Sequence, residues 1–106
     1  MKIKDYFYEE PDGIHYPDAR AGTEAVYEVD FSRFVDAEGG ALQRVQWKVS
    51  AMLTLRTYYM NQENPNVACA LIGSPCVGSH KVTCIGEILK DGLVEVFPVE
   101  LIIKVY

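Results

Sequence analysis

The sequence predicts an all-β fold, an antiparallel sandwich or barrel of six or seven short strands. From residue 24 onward, turn signals recur roughly every 8–12 residues, which is the spacing typical of such folds. No long stretch has the periodicity of an amphipathic helix. The chain has 106 residues, 49% of them hydrophobic and 24% charged, so it is long enough for one core and typical of a globular domain.

The first part of the chain is predicted to be an N-terminal arm, residues 1–22, outside the core of a domain that spans residues 23–106. Residues 2–8 are prone to form one short strand. Dense turn chemistry then follows at residues 9–13, and residues 17–22 break the chain a second time.

The first core strand is predicted at residues 25–31. Tyr27, Val29 and Phe31 share one face of this segment, and acidic side chains occupy the other face. Residues 32–40 are predicted to hold a short helical turn and then a glycine-containing break.

Five further strands complete the predicted sandwich. The Asp91-Gly92 pair predicts a hairpin turn before the last strand, because both residues tolerate positive φ. Trp47 lies on an apolar face with Val45 and Val49, and one tryptophan on an early middle strand is typical of the immunoglobulin-like type of sandwich. The predicted strands are residues 45–49, 52–59, 67–72, 80–89 and 94–106.

The charge is −5 overall and unevenly distributed. Residues 1–40 hold ten acidic and four basic side chains, whereas residues 41–106 hold five acidic and six basic ones. An acidic chain argues against nucleic acid as a partner, because that affinity depends on Lys and Arg. The acidic half has two open interpretations, a solvated face or a surface that docks a complementary partner.

The three cysteines and His80 form the one metal-like cluster in the sequence, and it lacks the C-x2-C knuckle of a tight zinc site. We therefore predict no metal and no cofactor. Cys69 and Cys84 lie in apolar strands and are interpreted as small hydrophobic side chains, although a disulfide between two of the three remains open. Cys76, in a Gly/Pro/Ser loop, is the candidate exposed thiol.

No catalytic constellation is visible, and we predict that the chain is not an enzyme. A Cys76–His80 nucleophile pair lacks a group that would orient the base. The N-terminus has no apolar signal region, and the apolar stretches fall far below the ~20 residues that span a bilayer. We expect synthesis in the cytosol and no membrane partner.

The aromatic residues indicate a protein interface instead. Tyrosine is large, stiff and amphipathic, and it is enriched where proteins meet. The rings either pack an arm onto its own sandwich or reach over a neighbouring subunit. The candidate interface residues are Tyr6, Phe7, Tyr8, Tyr16, Tyr58 and Tyr59.

The order of several short motifs resembles one family. Residues 27–35, YEVDFSRFV, are similar to the opening Y-x-x-D-W-S-x-W-L of small bacteriophage proteins called phage fiber-tail adaptors. The resemblance covers about residues 24–106 and rests on motif order and spacing. The later matching elements are Leu42, Trp47-Lys48-Val49, residues 71–78 and 81–84, the Asp91-Gly92 turn and residues 101–105.

The chain departs from the family pattern at a few positions. Phe31 and Phe34 stand where the family has tryptophans, and Gly73-Ser74 replaces a double glycine. Lys81 replaces a tyrosine, which removes any tyrosine-corner hydrogen bond of the immunoglobulin type.

The resemblance implies an immunoglobulin-like β-sandwich and a virion structural protein, an adaptor joining tail or neck and fibre components. It implies several copies per particle, assembly in the host cytoplasm, and other virion proteins (tail, neck, portal, fibre or capsid) as partners. Two alternatives stay open, a capsid decoration protein and a carbohydrate-binding or adhesion module with Tyr58, Tyr59 and Trp47 as sugar platforms. The apolar face around Trp47 argues against the second.

Overall fold

Two packed β-sheets and one short helix make up the computed structural model, which describes residues 3–4, 8–10, 13–16 and 18–106. The all-β, sandwich-like prediction is confirmed. The elements are β1 (Ile3–Lys4), β2 (Tyr8–Glu10), β3 (Gly13–His15), β4 (Thr23–Asp30), α1 (Ser32–Glu38), β5 (Ala41–Val49), β6 (Thr54–Met60), β7 (Val67–Ser74), β8 (Gly78–Lys90) and β9 (Leu93–Val105).

Each sheet is built on three antiparallel strands. The first sheet has the order β1-β4-β7-β6, in which β1 joins β4 as a short parallel strand. The second sheet has the order β2-β3-β9-β8-β5, in which β3 runs parallel to β9. The long β8–β9 hairpin is continuously paired from Gly78 with Val105 to Lys90 with Leu93.

The core lies between the inner faces of the two sheets. Tyr27, Val29 and Phe31 are almost fully buried, as the alternation in residues 25–31 predicts. Trp47 is 9% exposed and packs in the same cluster, so its interpretation as a core residue is confirmed. The second sheet contributes Val82, Cys84, Val99, Leu101, Ile103 and Val105.

Helix α1 closes one end of the sandwich and is longer than the predicted turn. The carboxylate of Asp30 accepts the Ser32 N–H at 2.8 Å, which satisfies one of the donors left free at the first turn. The helix ends at Gly39, which adopts the left-handed conformation (φ 72°) and donates its N–H to the Val35 carbonyl. Phe34 stacks on Phe97 of β9 at 5.0 Å, which fixes the helix against the second sheet.

Two strand details differ from, or refine, the prediction. Strand β5 begins at Ala41, whereas the prediction began it at residue 45. The prediction missed residues 41–44 because a register shift between Leu42 and Arg44 interrupts the alternation of side chains there. The hairpin turn at Asp91-Gly92 is confirmed, with φ of 51° and 79°. Pro98 lies within β9, where that strand pairs with β8 only, so its missing N–H costs no ladder bond on the β3 side.

Residues 14–16, 19 and 21 pair with residues 101–106. Ile14 lies opposite Leu101, and Ala19 donates its N–H to the Lys104 carbonyl at 2.8 Å. Tyr106 in turn donates to the Ala19 carbonyl at 2.9 Å. The prediction placed this segment outside the core, but Tyr16 and Ala19 lie in it. The physical reason is that the free edge of β9 offers N–H and C=O groups that need partners.

Candidate interaction surfaces

The turn end of the β8–β9 hairpin exposes a group of aliphatic side chains, here called the hairpin patch: Leu89, Leu93, Val94 and Val96. They are 37%, 73%, 48% and 57% exposed. Leu89 lies directly opposite Val94 in the ladder. Since Cys84 faces the core, alternation directs Leu89, Val94 and Val96 to the outer face of the second sheet, while Leu93 lies at the turn itself.

Just before the turn end, the inner face of the hairpin packs against the core. Ile88 is fully buried, and Phe31 packs so closely on Gly86 that a Cβ there would lie 2.6 Å from the ring. The Phe34–Phe97 stack adds a second aromatic contact. The turn end of the hairpin extends beyond this packed base, because Leu93 and Glu95, which alternate with the outer-face residues, are exposed as well.

Charged groups surround the hairpin patch. Glu87, opposite Val96 in the ladder, forms an ion pair with Arg44 at 3.4 Å. Lys90 and Asp91 lie at the turn and are exposed. An apolar centre with a polar rim is the usual composition of a protein–protein interface.

The hairpin patch was not among the predicted site residues. The sequence prediction chose interface candidates among the aromatic residues, whereas the side chains of the hairpin patch are Leu and Val. The run Leu93-Val94-Glu95-Val96, directly after a hairpin turn, is the signal in the sequence that indicates it, because apolar residues beside a tight turn have few neighbours to cover them.

Strand β6 forms a second exposed surface. Tyr58 and Tyr59, both predicted interface residues, are 60% and 48% exposed, and Met60 is 37% exposed. Among the strands that the structure describes, β6 has a hydrogen-bonded neighbour, β7, on one side only. A shallow depression lined by residues 59–63 continues this surface into the following loop.

Beneath Tyr59, on the outer face of the first sheet, lies a buried thiol. Cys69 pairs with Tyr59 in the ladder and donates its S–H to the Glu28 carboxylate at 3.4 Å. Burial, and secondarily the neighbouring Glu28, raises the pKa of Cys69 from 9.0 to about 11. The raised pKa disfavours the thiolate, which is the reactive form of cysteine.

The remaining predicted interface residues have different positions. Tyr6 and Phe7 lie outside the described residues, and Tyr8 is described only as a backbone position of β2. Tyr16 is 4% exposed; its ring meets Tyr27 edge-on at 4.9 Å, and its hydroxyl donates to the Glu28 carbonyl at 2.7 Å. The Tyr16 ring therefore packs in its own core and is not a docking surface, and burial raises its pKa.

The three thiols are free. Cys69 and Cys84 are buried, and burial raises the pKa of Cys84. Cys76 is half-buried, so it is less open than the loop composition predicts. His80 Nε2 lies 2.9 Å from the Cys76 carbonyl oxygen, so the imidazole contacts the backbone rather than the thiol.

Over the described part of the chain, no group of three or more His, Cys, Asp or Glu side chains is placed to hold a metal ion. Within the same residues, no helix has the length and hydropathy required to cross a membrane.

Comparisons with protein-family models, with curated proteins and with solved structures find no match to this chain.

Proposed function

We propose that this chain is a bacteriophage virion structural protein, an adaptor that joins tail or neck and fibre components through protein–protein contacts. The observation that carries a binding role is the hairpin patch. Three of its members, Leu89, Val94 and Val96, are exposed next to one another on the outer face, and clustered exposed aliphatic side chains are typical of a contact surface. The phage context comes from the order of motifs across residues 24–106.

The finer fold belongs to the same proposal, an immunoglobulin-like sandwich. Strand order supports it. The orders β4-β7-β6 and β9-β8-β5 correspond to the B-E-D and G-F-C orders of that fold when β4 is matched to its second strand. The parallel pairing of β3 with β9 adds an N-terminal strand to the second sheet.

The proposed role is binding rather than catalysis. His80 contacts a carbonyl, and two of the three thiols are buried, which leaves no described pairing of a nucleophile with a base among these residues. A sugar platform at Trp47 is disfavoured because that ring is 9% exposed and packed in the core.

The test begins with particles purified from cells that carry the gene. We expect mass spectrometry to find the chain in several copies per particle, and antibody labelling to place it at the tail or neck. Labelling over the whole capsid would favour the decoration alternative. Absence of the chain from purified particles would overturn the virion role.

A patch variant then tests the surface. Leu93→Ser with Val96→Ser removes two exposed aliphatic side chains and leaves the core intact, so incorporation into particles should fall at least about tenfold. Lys81→Ser, an exposed position farther along β8, is the matched control and should incorporate normally. Equal incorporation of both variants would show that the hairpin patch is not the contact.

A further inference from the structure

We propose that β6 pairs antiparallel with β6 of a second copy of this chain, centred on Tyr58, so that the first sheets of two copies join into one continuous sheet. This self-association is independent of the proposed virion role. It rests on the backbone groups, side chains and charges of the β6 edge.

Among the residues that the structure describes, no strand pairs with the outer edge of β6, so half of its backbone N–H and C=O groups face an open edge. The Asn61 N–H points towards β7, since it donates to the Val67 carbonyl at 2.9 Å. Successive residues of an antiparallel strand direct their N–H and C=O groups to opposite sides. The backbone groups of Tyr58 and Met60 therefore point away from β7, to the open edge, where an extended strand is the natural partner.

Of the four edge strands that the structure describes, the two long ones, β5 and β6, differ in their protection against edge pairing. Strand β5, at the end of the second sheet, carries exposed Arg44 and Lys48 and a register shift, and charges and bulges of this kind discourage edge pairing. Strand β6 also has a register shift, between Leu55 and Thr57, and its one charged residue, Arg56, is paired with Glu24 at 3.5 Å. After that shift, residues 57–60 form a regular stretch without charge, whereas the regular part of β5 carries the exposed Lys48, so β6 is the less protected of these two edges.

A second copy fits this edge in a defined register. With Tyr58 opposite the same residue of the other copy, each Tyr58 N–H meets a Tyr58 carbonyl. Thr57 then lies opposite Tyr59, a β-branched and aromatic pair of the kind that stabilises sheets. Arg56, at the register shift of β6, lies at the end of this regular pairing near Met60 and away from Arg56 of the other copy, so no like charges face each other across the edge.

Electrostatics permit the pairing despite the net charge of −5. The acidic side chains on the described strands of the first sheet are Glu24, Glu28 and Asp30, all on β4, two strands away from the edge, and Glu24 is paired with Arg56. In the joined sheet the two β4 strands are five strand spacings apart, about 24 Å. That distance is well beyond the Debye length of roughly 8 Å at physiological ionic strength, so repulsion between them is screened.

The first test is the oligomeric state of the purified chain, measured by sedimentation equilibrium from about 1 μM to about 1 mM, since short interfaces are weak. We expect a reversible dimer. Tyr58→Pro removes the outward N–H at a position where an edge strand tolerates proline, and it should weaken dimerisation more than about tenfold. Tyr58→Val keeps that N–H, so its effect should stay within about fivefold.

The hairpin patch provides the second control. Leu93→Ser should leave the dimer unchanged, because its side chain lies at the turn of the other sheet. A monomer at all concentrations, or a dimer lost in Leu93→Ser but kept in Tyr58→Pro, would overturn the proposal.

Cross-linking tests the register without proline. Thr57→Cys and Tyr59→Cys are each made with Cys69→Ala and Cys76→Ser, because Cys69 lies opposite position 59 in the ladder. The two proteins are oxidised separately and as a mixture. In this register positions 57 and 59 form a non-hydrogen-bonded pair with Cα atoms about 4.5 Å apart, within disulfide reach. The mixture should yield more linked dimer than either protein alone. Equal yields would exclude the register, and this result decides the matter if Tyr58→Pro fails to fold.

Discussion

The two halves of the β8–β9 hairpin have the same alternation of inner and outer side chains, but their outer faces differ in polarity. In the half near the chain end, the outer face is mostly polar: Thr83 donates to the Glu100 carboxylate at 3.0 Å, and the apolar Ile102 is 8% exposed. In the half near the turn, the outer face carries Leu89, Val94 and Val96. Alternation therefore identifies the inner face in both halves, and an apolar outer face beyond it indicates a contact surface.

The largest expected effect on stability comes from the core side of strand β9. Leu101→Ala removes a fully buried side chain between the sheets, and the free energy of unfolding should fall by about 2–5 kcal/mol. Val96→Ala, in the turn half of the same strand, should change it by less than about 0.5 kcal/mol. Urea denaturation measures both free energies. Similar losses in the two variants would contradict the assignment of Leu101 to the core and Val96 to an exposed surface.

The second prediction concerns Gly86, which lies where the two halves meet. Gly86→Ala would place a Cβ 2.6 Å from Phe31, so overpacking should destabilise the fold by about 1–3 kcal/mol. Gly73→Ala is the control, because the nearest atom to its Cβ is the Glu24 Cγ at 3.5 Å. Phe31→Leu should recover part of the loss in Gly86→Ala, and an additive double variant would show that this contact is not the cause.

The third prediction concerns the pH dependence of stability, which the buried thiol of Cys69 should affect and the hairpin patch should not. The fold raises the pKa of Cys69 from 9.0 to about 11, so the folded state keeps a proton that the unfolded chain releases. Stability from this group is complete below pH 9 and declines as pH rises from 9 towards 11. Thermal unfolding across this range should show a decline that is smaller in Cys69→Ala. Leu93→Ser should have the parent profile.

The smallest expected effect on stability is that of a substitution at Val94, on the outer face near the turn. Val94→Ser replaces a half-exposed aliphatic side chain and should shift the free energy of unfolding by less than about 0.5 kcal/mol. Binding of an apolar fluorescent dye should nevertheless decrease, because the hairpin patch loses aliphatic area. A large loss of stability would mean that Val94 is packed rather than exposed.

Local patterns in the sequence predicted much of the fold. Alternation in residues 25–31, the face around Trp47 and the Asp91-Gly92 turn each depend on near neighbours in the chain, and each is confirmed. The early start of β5 was missed, since the bulge at Gln43 disrupts the period. The pairing of Ile14 with Leu101 was also missed, because no local pattern encodes which distant strand an edge will meet.

The candidate surfaces were predicted less completely. The tyrosine criterion found Tyr58 and Tyr59, which are exposed, and also selected Tyr16, which is buried. The same composition serves core and interface, so residue type alone does not separate them. Leu93 and Val96 were missed because an aliphatic residue on a strand is ordinarily assigned to the core.

The pairing of residues 14, 15 and 19 with the end of β9 sets the order in which the chain can fold during synthesis. The partner of Ile14 is Leu101, and that of Ala19 is Val105. The N-terminal segment therefore leaves the ribosome long before the strand that holds it, and Tyr16 has no complete core to enter until that strand appears. Contacts between distant residues form slowly. Nascent chains of this protein accordingly expose an unpaired sheet edge until translation passes residue 105, the interval in which a chaperone would protect them from aggregation.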